Sequence, residues 1–218
     1  MGKRVKGNGN FESETRNISH ATKIKVEGGM EVILDSGATS IRVEADENII
    51  PYILTDLDDN WLRIRLKRNI SITTSNTMRV YITTPTIYNI RVAGSGNVTS
   101  EKKFWSKKPI SFDIAGSGDI TIDVNAPKVD ADIAGSGNLM ITGETRDVDV
   151  SIAGSGNYQG MDLKAENARV SIAGSGDAFV FADVKINAKI MGSGNVKYKG
   201  NASVDKKVMG SGKVEMMQ

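Results

Sequence analysis

The sequence contains no cysteine and only one histidine, and these two scarcities exclude several kinds of site. Without cysteine the chain forms no disulfide, carries no thiol nucleophile and builds no zinc site from thiolates. His20 stands in a polar segment without a second imidazole nearby, so a histidine-dependent triad or metal site lacks its components, and His20 is interpreted as a surface residue. We therefore expect no catalytic residue, no cofactor and no metal ligand.

Neither charge nor hydropathy points to a nucleic acid or a membrane. The chain has 28 basic and 26 acidic side chains, a net charge of +2, so it lacks the basic field that binds a phosphate backbone. No apolar run approaches the roughly 18 residues of a membrane span. The polar start MGKRVKGNGNFESE lacks the apolar centre of a signal peptide, and a leader removed before Met1-Gly2 fits it equally well. The compartment stays open at this point.

A five-residue turn recurs through the C-terminal half of the chain. Its A-G-S-G-N/D form occupies 93–97, 115–119, 134–138, 153–157 and 173–177, and two variants begin at Met191 and Met209. The first glycines are 18 to 22 residues apart, which is a structural period. The predicted corner residues are Gly94, Gly96, Asn97, Gly116, Gly118, Asp119, Gly135, Gly137, Asn138, Gly154, Gly156, Asn157, Gly174, Gly176, Asp177, Gly192, Gly194 and Asn195.

Apolar residues alternate with polar ones on both sides of each turn. The residue two positions before the first glycine is β-branched in all seven copies: Val92, Ile114, Ile133, Ile152, Ile172, Ile190 and Val208. This period of two indicates half-buried strands, and one short unit buries its apolar row only by stacking on its copies, at about 4.8 Å per layer. The pattern predicts an all-β chain whose 18-22-residue coils form a right-handed parallel β-helix, or β-solenoid.

The first 90 residues alternate in the same way but lack the Gly-Ser-Gly corner. Strands are predicted at 23–26, 30–34, 40–45, 61–67 and 78–83, with a turn at Gly28-Gly29. Residues 1–90 are either irregular early coils or a β-rich cap on the regular coils of 91–218, and we expect 1–218 to form a single domain. Gly7-Asn8-Gly9-Asn10 is interpreted as a degenerate copy of the corner.

The repeated A-G-S-G-N and A-G-S-G-D turns, a GNGN-type start and a strand-rich segment containing Trp61-Leu-Arg-Ile resemble the bacterial family called putative auto-transporter adhesin, head GIN domain. The resemblance implies a β-helical protein of the cell envelope (periplasm or outer surface) or a secreted one, with an adhesin function and without catalytic residues. Met191, Met209 and Lys213 depart from the family pattern, which predicts less regular corners in the last two copies.

The corner residues have a structural interpretation and a chemical one. Glycine suits a corner that requires positive φ, and stacked Asn and Asp side chains are expected to bond from layer to layer. The serines at 95 to 211 are interpreted as bonding backbone groups, with a hydroxyl face for an ordered lattice as the alternative. Calcium is disfavoured because only Asp119 and Asp177 supply carboxylates, in separated layers.

The longest repeat contains a basic, aromatic segment that is our first binding candidate. Residues 101–108 read EKKFWSKK and are expected to protrude from the stack. An exposed tryptophan among lysines could stack on a sugar or meet an anionic surface; the alternative is that it folds back over the core edge. The predicted partner-binding residues are Phe104, Trp105, Lys102, Lys103, Lys107 and Lys108.

Four methionines near the C-terminus form a second candidate surface. Met191 and Met209 replace alanine, and Met216 and Met217 follow closely. They are interpreted either as a makeshift cap or as an adhesive end for self-association.

The sequence thus favours a non-catalytic protein that presents a surface to an unknown glycan or protein. One alternative is a structural envelope protein that assembles through its open coil, so homo-oligomers are allowed. The other is a carbohydrate-active enzyme that uses carboxylates of neighbouring coils, namely Asp113, Asp132 and either Asp130 or Asp149. Alternation predicts that these carboxylates face solvent.

Overall fold

The computed structural model describes residues 2–218, which are almost entirely β-structure. The N-terminal strands are β1 (Lys3–Lys6), β2 (Phe11–Arg16), β3 (Lys23–Glu27), β4 (Glu31–Ser36), β5 (Ser40–Asp46), β6 (Ile53–Asp58), β7 (Trp61–Leu66), β8 (Ile70–Thr73) and β9 (Arg79–Thr84), with a 3-10 turn at Ile50–Tyr52. The following strands are β10 (Asn89–Gly94), β11 (Asn97–Ser100), β12 (Phe104–Trp105), β13 (Ile110–Gly116), β14 (Asp119–Gly135), β15 (Asn138–Gly154), β16 (Asn157–Gly174), β17 (Ala178–Gly192), β18 (Val196–Lys199), β19 (Ser203–Gly210) and β20 (Val214–Met216).

The seven Gly-Ser-Gly corners lie one above another in register. Gly94 pairs with Gly116, Gly116 with Gly135, and the series continues without a break to Gly192 and Gly210. The strands that end at these corners are parallel between layers. The predicted parallel β-solenoid is therefore confirmed.

Each coil has three sides, which we number from the corner. Side 1 ends at the corner, side 2 begins after it, and side 3 leads from side 2 to the next side 1. In the coil of β15, side 2 is 138–142, side 3 is 143–146 and side 1 is 147–154. Buried and exposed residues alternate along all three sides because successive side chains of a strand point to opposite faces.

The core consists of columns of apolar side chains that run along the solenoid axis. The β-branched column from Val92 to Ile190 is buried, as predicted, but Val208 in the last coil is 37% exposed. A second inward column contains Ile90, Phe112, Ala131, Val150, Val170 and Ala188. In the last coil this column ends with Lys206, which pairs with Ala188. The C-terminal end therefore presents a lysine at a position that is apolar in every coil before it.

One large side chain on side 2 is accommodated by small neighbours. Tyr158 is completely buried between Leu139 and Ala178 of the adjacent coils. A Cβ on Gly160 would overlap the Tyr158 ring, so glycine there makes room for it. Burial without a hydrogen-bond partner among residues 2–218 raises the pKa of the Tyr158 hydroxyl, because desolvation disfavours the phenolate. The Tyr158 hydroxyl is thus a core group and not a reactive one.

The N-terminal segment adds two more coils beneath the first Gly-Ser-Gly corner. Strands β3 and β4 lie under β10 and β11, and Gly28, with φ of 97°, lies under Gly94. The Gly94 Cβ position faces the Gly28 carbonyl oxygen, and the Ser95 N–H donates to that oxygen at 3.2 Å. Strands β7 and β9 form the next coil below, parallel to β3 and β4. The Gly28-Gly29 turn is therefore a corner of the stack.

Antiparallel strands cover the N-terminal end of these coils. Strand β6 pairs antiparallel with β7, β5 pairs antiparallel with β9, and β2 pairs antiparallel with β5. Both interpretations of residues 1–90 therefore hold in part: this segment supplies two coils and an antiparallel cap. The chain order is unusual, because the coil of 23–36 lies between the later segments 61–84 and 89–100.

The interpretation of Gly7 to Asn10 as a degenerate corner is wrong. This segment lies against the cap, where Asn8 Nδ2 donates to Glu47 at 2.7 Å and the Asn8 N–H donates to Asn48 at 3.1 Å. It also covers Asp46, whose side chain accepts hydrogen bonds from Asn76 and Thr74. Those two bonds lower the pKa of Asp46, and the Gly9 N–H adds to the effect.

Candidate functional site

The corners bring together only residues that maintain the stack. The first glycine of each corner has a φ between 115° and 131°, a region that glycine enters without steric cost. The second glycine is required for another reason, since its Cβ would overlap the backbone of the coil beneath. The predicted side-chain ladder is present: the Asn138 N–H donates to Asp119 at 2.8 Å, and Asn195 N–H donates to Asp177 at 2.7 Å.

The side chains of the corner serines bond no backbone group of residues 2–218, although the sequence had suggested that they would. Their backbone N–H groups donate to the first glycine of the coil beneath, for example Ser136 to Gly116 at 2.9 Å. Their hydroxyls are exposed and donate to none of residues 2–218. Over the same range no group of three or more His, Cys, Asp or Glu side chains is arranged to hold a metal ion.

The basic, aromatic segment 101–108 is part of a coil and not a protruding loop. Its short strand β12 pairs in parallel with residues Val124 and Asn125 and forms side 3 of its coil. Phe104 faces inward beneath Val124 and is completely buried, so its prediction as a partner-binding residue is wrong. Trp105 faces outward and is 69% exposed. Adjacent residues of a strand point to opposite faces, and here Phe104 points into the core while Trp105 points to solvent.

Most of the lysines in this segment already have partners. Lys102 Nζ lies 3.1 Å from Asp35, and Lys103 Nζ lies 3.6 Å from Asp123 and 5.8 Å from the centroid of the Trp105 ring. Lys108 Nζ lies 5.4 Å from the Tyr88 ring. Lys107 is exposed. The lysines surround the tryptophan without forming one basic patch.

Trp105 borders a shallow depression of about 400 Å³ on side 3. The depression is also lined by Ser106, Asn125, Ala126, Glu144, Thr145, Arg146 and Glu166. Asn125 Oδ1 accepts the Glu144 N–H at 3.2 Å, so its amide is held in place. Arg146 Nε donates to Asp147 at 2.7 Å, and this bond raises the pKa of Arg146. Trp105 was identified from the sequence, but these polar neighbours, which come from the following coils, were not.

An exposed indole next to planar polar side chains is suited to bind a sugar. The ring face offers an apolar surface to the C–H groups of a pyranose, while amide, carboxylate and guanidinium groups can bond its hydroxyls. Trp105 supplies the ring, and Asn125, Glu144 and Arg146 supply the polar groups in the next coils. No titration or nucleophile is needed for such binding.

The four C-terminal methionines do not form one surface. Met191 and Met209 pair across adjacent coils on the outside of side 1, where they are nearly half exposed. Met216 takes an inward-facing position above Tyr198 at the open end, and Met217 turns toward side 2. The four methionines therefore do not form a joint assembly end. Met191 and Met209 are an outer pair, Met216 lies over the core, and Met217 lies in a groove.

Met217 lies in an apolar groove of about 520 Å³ on side 2. The other lining residues are Met140, Ile141, Thr142, Gln159, Met161, Asp162 and Phe179. The groove coincides with an irregularity in pairing between Met140 and Thr142, where β16 contains an extra residue. Methionine and phenylalanine make the groove both apolar and adaptable.

The carboxylates of side 1 face solvent, as the alternation predicts, but most are held in ion pairs. Asp113 pairs with Asp132 in the ladder and lies 3.0 Å from Arg91. Lys128 Nζ bridges Asp130 at 3.1 Å and Asp149 at 2.9 Å, which raises the pKa of Lys128. The pKa of Asp132 is raised by partial desolvation and by the nearby Asp113 and Asp130. Arg91 and Lys128 thus compensate part of the negative charge on this surface.

Comparison with known proteins identifies relatives of the whole fold. The sequence model of the family described as putative auto-transporter adhesin, head GIN domain, matches residues 20–202. A putative adhesin from Bacteroides fragilis superimposes with a TM-score of 0.89 at 22% identity, covering 98% of this chain and 100% of that one.

Two further solved structures share the architecture. A putative lipid binding protein from Parabacteroides distasonis has a TM-score of 0.82 at 24% identity, over 99% of this chain and 100% of that chain. A putative adhesin from Parabacteroides merdae has a TM-score of 0.75 at 22% identity, over 99% of both chains. No curated protein sequence matches at a significant level. At these identities the similarity shows the fold alone.

In residues 2–218 no helix has the length and hydropathy to cross a membrane.

Proposed function

The chain belongs to the family described as putative auto-transporter adhesin, head GIN domain, and on that premise we propose that it is a non-catalytic binding protein of the bacterial cell envelope or a secreted one. We propose that it binds a glycan at side 3. The observation that carries this proposal is the exposed Trp105 beside Asn125, Glu144 and Arg146. An aromatic ring that is 69% exposed contributes little to the core, so its contacts are available to a ligand.

The test is Trp105→Ala on a glycan array that includes matrix proteins. We expect selective glycan binding by the native chain and at least about a tenfold loss in the variant, since a central aromatic contact is worth more than about 1.4 kcal/mol. The thermal midpoint should stay unchanged because Trp105 is exposed.

Lys107→Ala is the matched control: Lys107 is among the partner-binding residues predicted from the sequence, but it lies outside the depression, so the proposed glycan site does not include it. We expect this variant to bind like the native chain. If both variants lose affinity equally and binding depends steeply on salt, the interaction is electrostatic attraction to an anionic surface and not stacking of a sugar on Trp105. Glycan binding that survives Trp105→Ala would remove side 3 from the proposal.

A second candidate function is the binding of a lipid acyl chain in the groove of Met140, Met161, Phe179 and Met217. Its volume of about 520 Å³ lies in the range of small-molecule sites, and its lining is mostly apolar. The similarity in fold to a putative lipid binding protein supports this candidate at the level of architecture.

Oleate titration distinguishes this candidate from the first. We expect Met140→Glu to weaken oleate binding about tenfold, because the bound acyl chain would remove water from the new carboxylate without giving it a partner. Met191→Glu is the control, since Met191 is similarly exposed but lies on side 1, away from the groove. Equal affinities of native chain and Met140→Glu would exclude the groove as a lipid site.

A further inference from the structure

One line of outward-facing side chains continues from Trp105 along the solenoid axis. On side 3 the register pairs Trp105 with Asn125, Asn125 with Glu144, Glu144 with Lys164, and Lys164 with Phe181. Every step moves one coil toward the C-terminus. The line therefore carries an aromatic ring at Trp105 and a second at Phe181, with polar groups between them, and continues to Lys199 in the next coil.

The spacing of this line is that of the coils. Four layer steps of about 4.8 Å place Phe181 roughly 19 Å from Trp105 along the axis. In an extended β-1,4-linked chain the rise per sugar is close to one coil height, so successive sugars, alternately turned over, lie opposite successive coils. A sugar chain parallel to the axis would then contact both rings at once.

The intervening groups are held in positions suited to sugar hydroxyls. Asn125 bonds its oxygen to the Glu144 N–H, which leaves its NH₂ group as a donor. Glu144 and Lys164 are exposed. Lys164 Nζ lies 4.0 Å from the centroid of the Phe181 ring, so the ammonium and the ring form a joint contact. The extra residues of β16 between Gly160 and Lys164 bring Lys164 and Phe181 into register.

Resting on the glycan-binding function proposed above, we propose that the ligand is a linear β-1,4-linked glycan bound parallel to the solenoid axis, with Trp105 near one end and the Lys164–Phe181 pair near the other. About five consecutive sugars span this line. Phe181 is thereby a determinant of chain length and Trp105 is the primary contact.

Calorimetry with β-1,4-linked oligomers of glucose and of N-acetylglucosamine, from two to six units, tests this proposal. For at least one of the two series we expect affinity to rise with length up to about five units and then to level off. Phe181→Ala should weaken the hexamer about tenfold and leave the dimer unchanged. Trp105→Ala should weaken both.

Phe179→Ala is the matched control, because Phe179 is an outward aromatic of the same strand that faces the side 2 groove. Phe181→Tyr, which keeps the ring, should bind the hexamer like the native chain, and thermal unfolding checks that each variant is folded. Affinity independent of length, or equal losses in Phe179→Ala and Phe181→Ala, overturns the axial arrangement and leaves Trp105-dependent glycan binding intact. If neither oligomer series binds, the linear β-glycan is wrong, while the array result with Trp105→Ala decides the broader function separately.

Discussion

Gly137→Ala is expected to lower the free energy of unfolding by about 3 kcal/mol or more, a loss at the upper end of what single substitutions cause. A Cβ at residue 137 would overlap the carbonyl oxygen of Gly118 in the coil beneath and approach Ile114 Cγ2 to 2.7 Å. Neither atom can move away easily, because Gly118 is fixed by its own corner and Ile114 is a buried member of the core column. The added methyl group therefore forces two coils apart.

The measurement is equilibrium unfolding in urea, with Ser136→Ala as the control from the same corner. The Ser136 hydroxyl is exposed and bonds to none of residues 2–218, so its removal should change the free energy of unfolding by less than about 0.5 kcal/mol. Gly137 does not have a positive φ, so alanine at this position causes no backbone strain. A loss of stability in Gly137→Ala would therefore result from the close packing of adjacent coils. Similar small effects in both variants would contradict the packing account of the second glycine.

Lys206→Val is expected to make the chain associate as its concentration increases. Lys206 stands in the inward column above Ala188, between Val204 and Val208 on the edge strand β19. An inward-pointing charge on an edge strand prevents another strand from adding to it, because that strand would bury the ammonium without a partner. Valine at this position would leave an uninterrupted apolar row with free backbone groups.

Light scattering with size exclusion over a range of concentrations measures this effect. Lys207→Val is the matched control, since Lys207 is the next residue and faces outward. We expect the native chain and Lys207→Val to remain monomeric. Association of both variants, or of neither, would show that Lys206 does not protect the edge. The native lysine, together with the antiparallel cap at the other end, argues against the end-to-end polymer as the function of this chain.

The corners were predictable because each structural requirement selects a particular residue type. The positive φ of the first position and the lack of space for a Cβ at the second both require glycine. The coil at Gly28 shows the limit of that rule. Met30 stands where later coils have the second glycine, and it is tolerated because β7 and β9 beneath it are joined without a stacked corner. Glycine is required only where another corner lies below, so the lowest corner lacks the signature and was interpreted as a plain turn.

The site was only partly predictable. The exposure of Trp105 depends on which of two adjacent aromatic residues aligns with Val124, and alternation alone does not decide that. Its neighbours Glu144 and Arg146 lie on β15, which keeps the register of β14. Two extra residues between Thr99 and Phe104 shift Trp105 relative to those coils, so counting from the corners does not place it beside them. Sequence spacing therefore predicts the corners but not the neighbours of Trp105.

The position of the coil of residues 23–36 implies an order in which the protein can form as it emerges from a ribosome or a translocation pore. Its lower neighbour is formed by β7 and β9, which are complete at residues 66 and 84, and its upper neighbour begins at residue 89, so the coil lacks both neighbours until well after it has appeared. Each later coil finds its template already complete only some 20 residues behind it. We therefore expect the closing of the cap to be the slow step of folding, with growth afterwards one coil at a time toward the C-terminus.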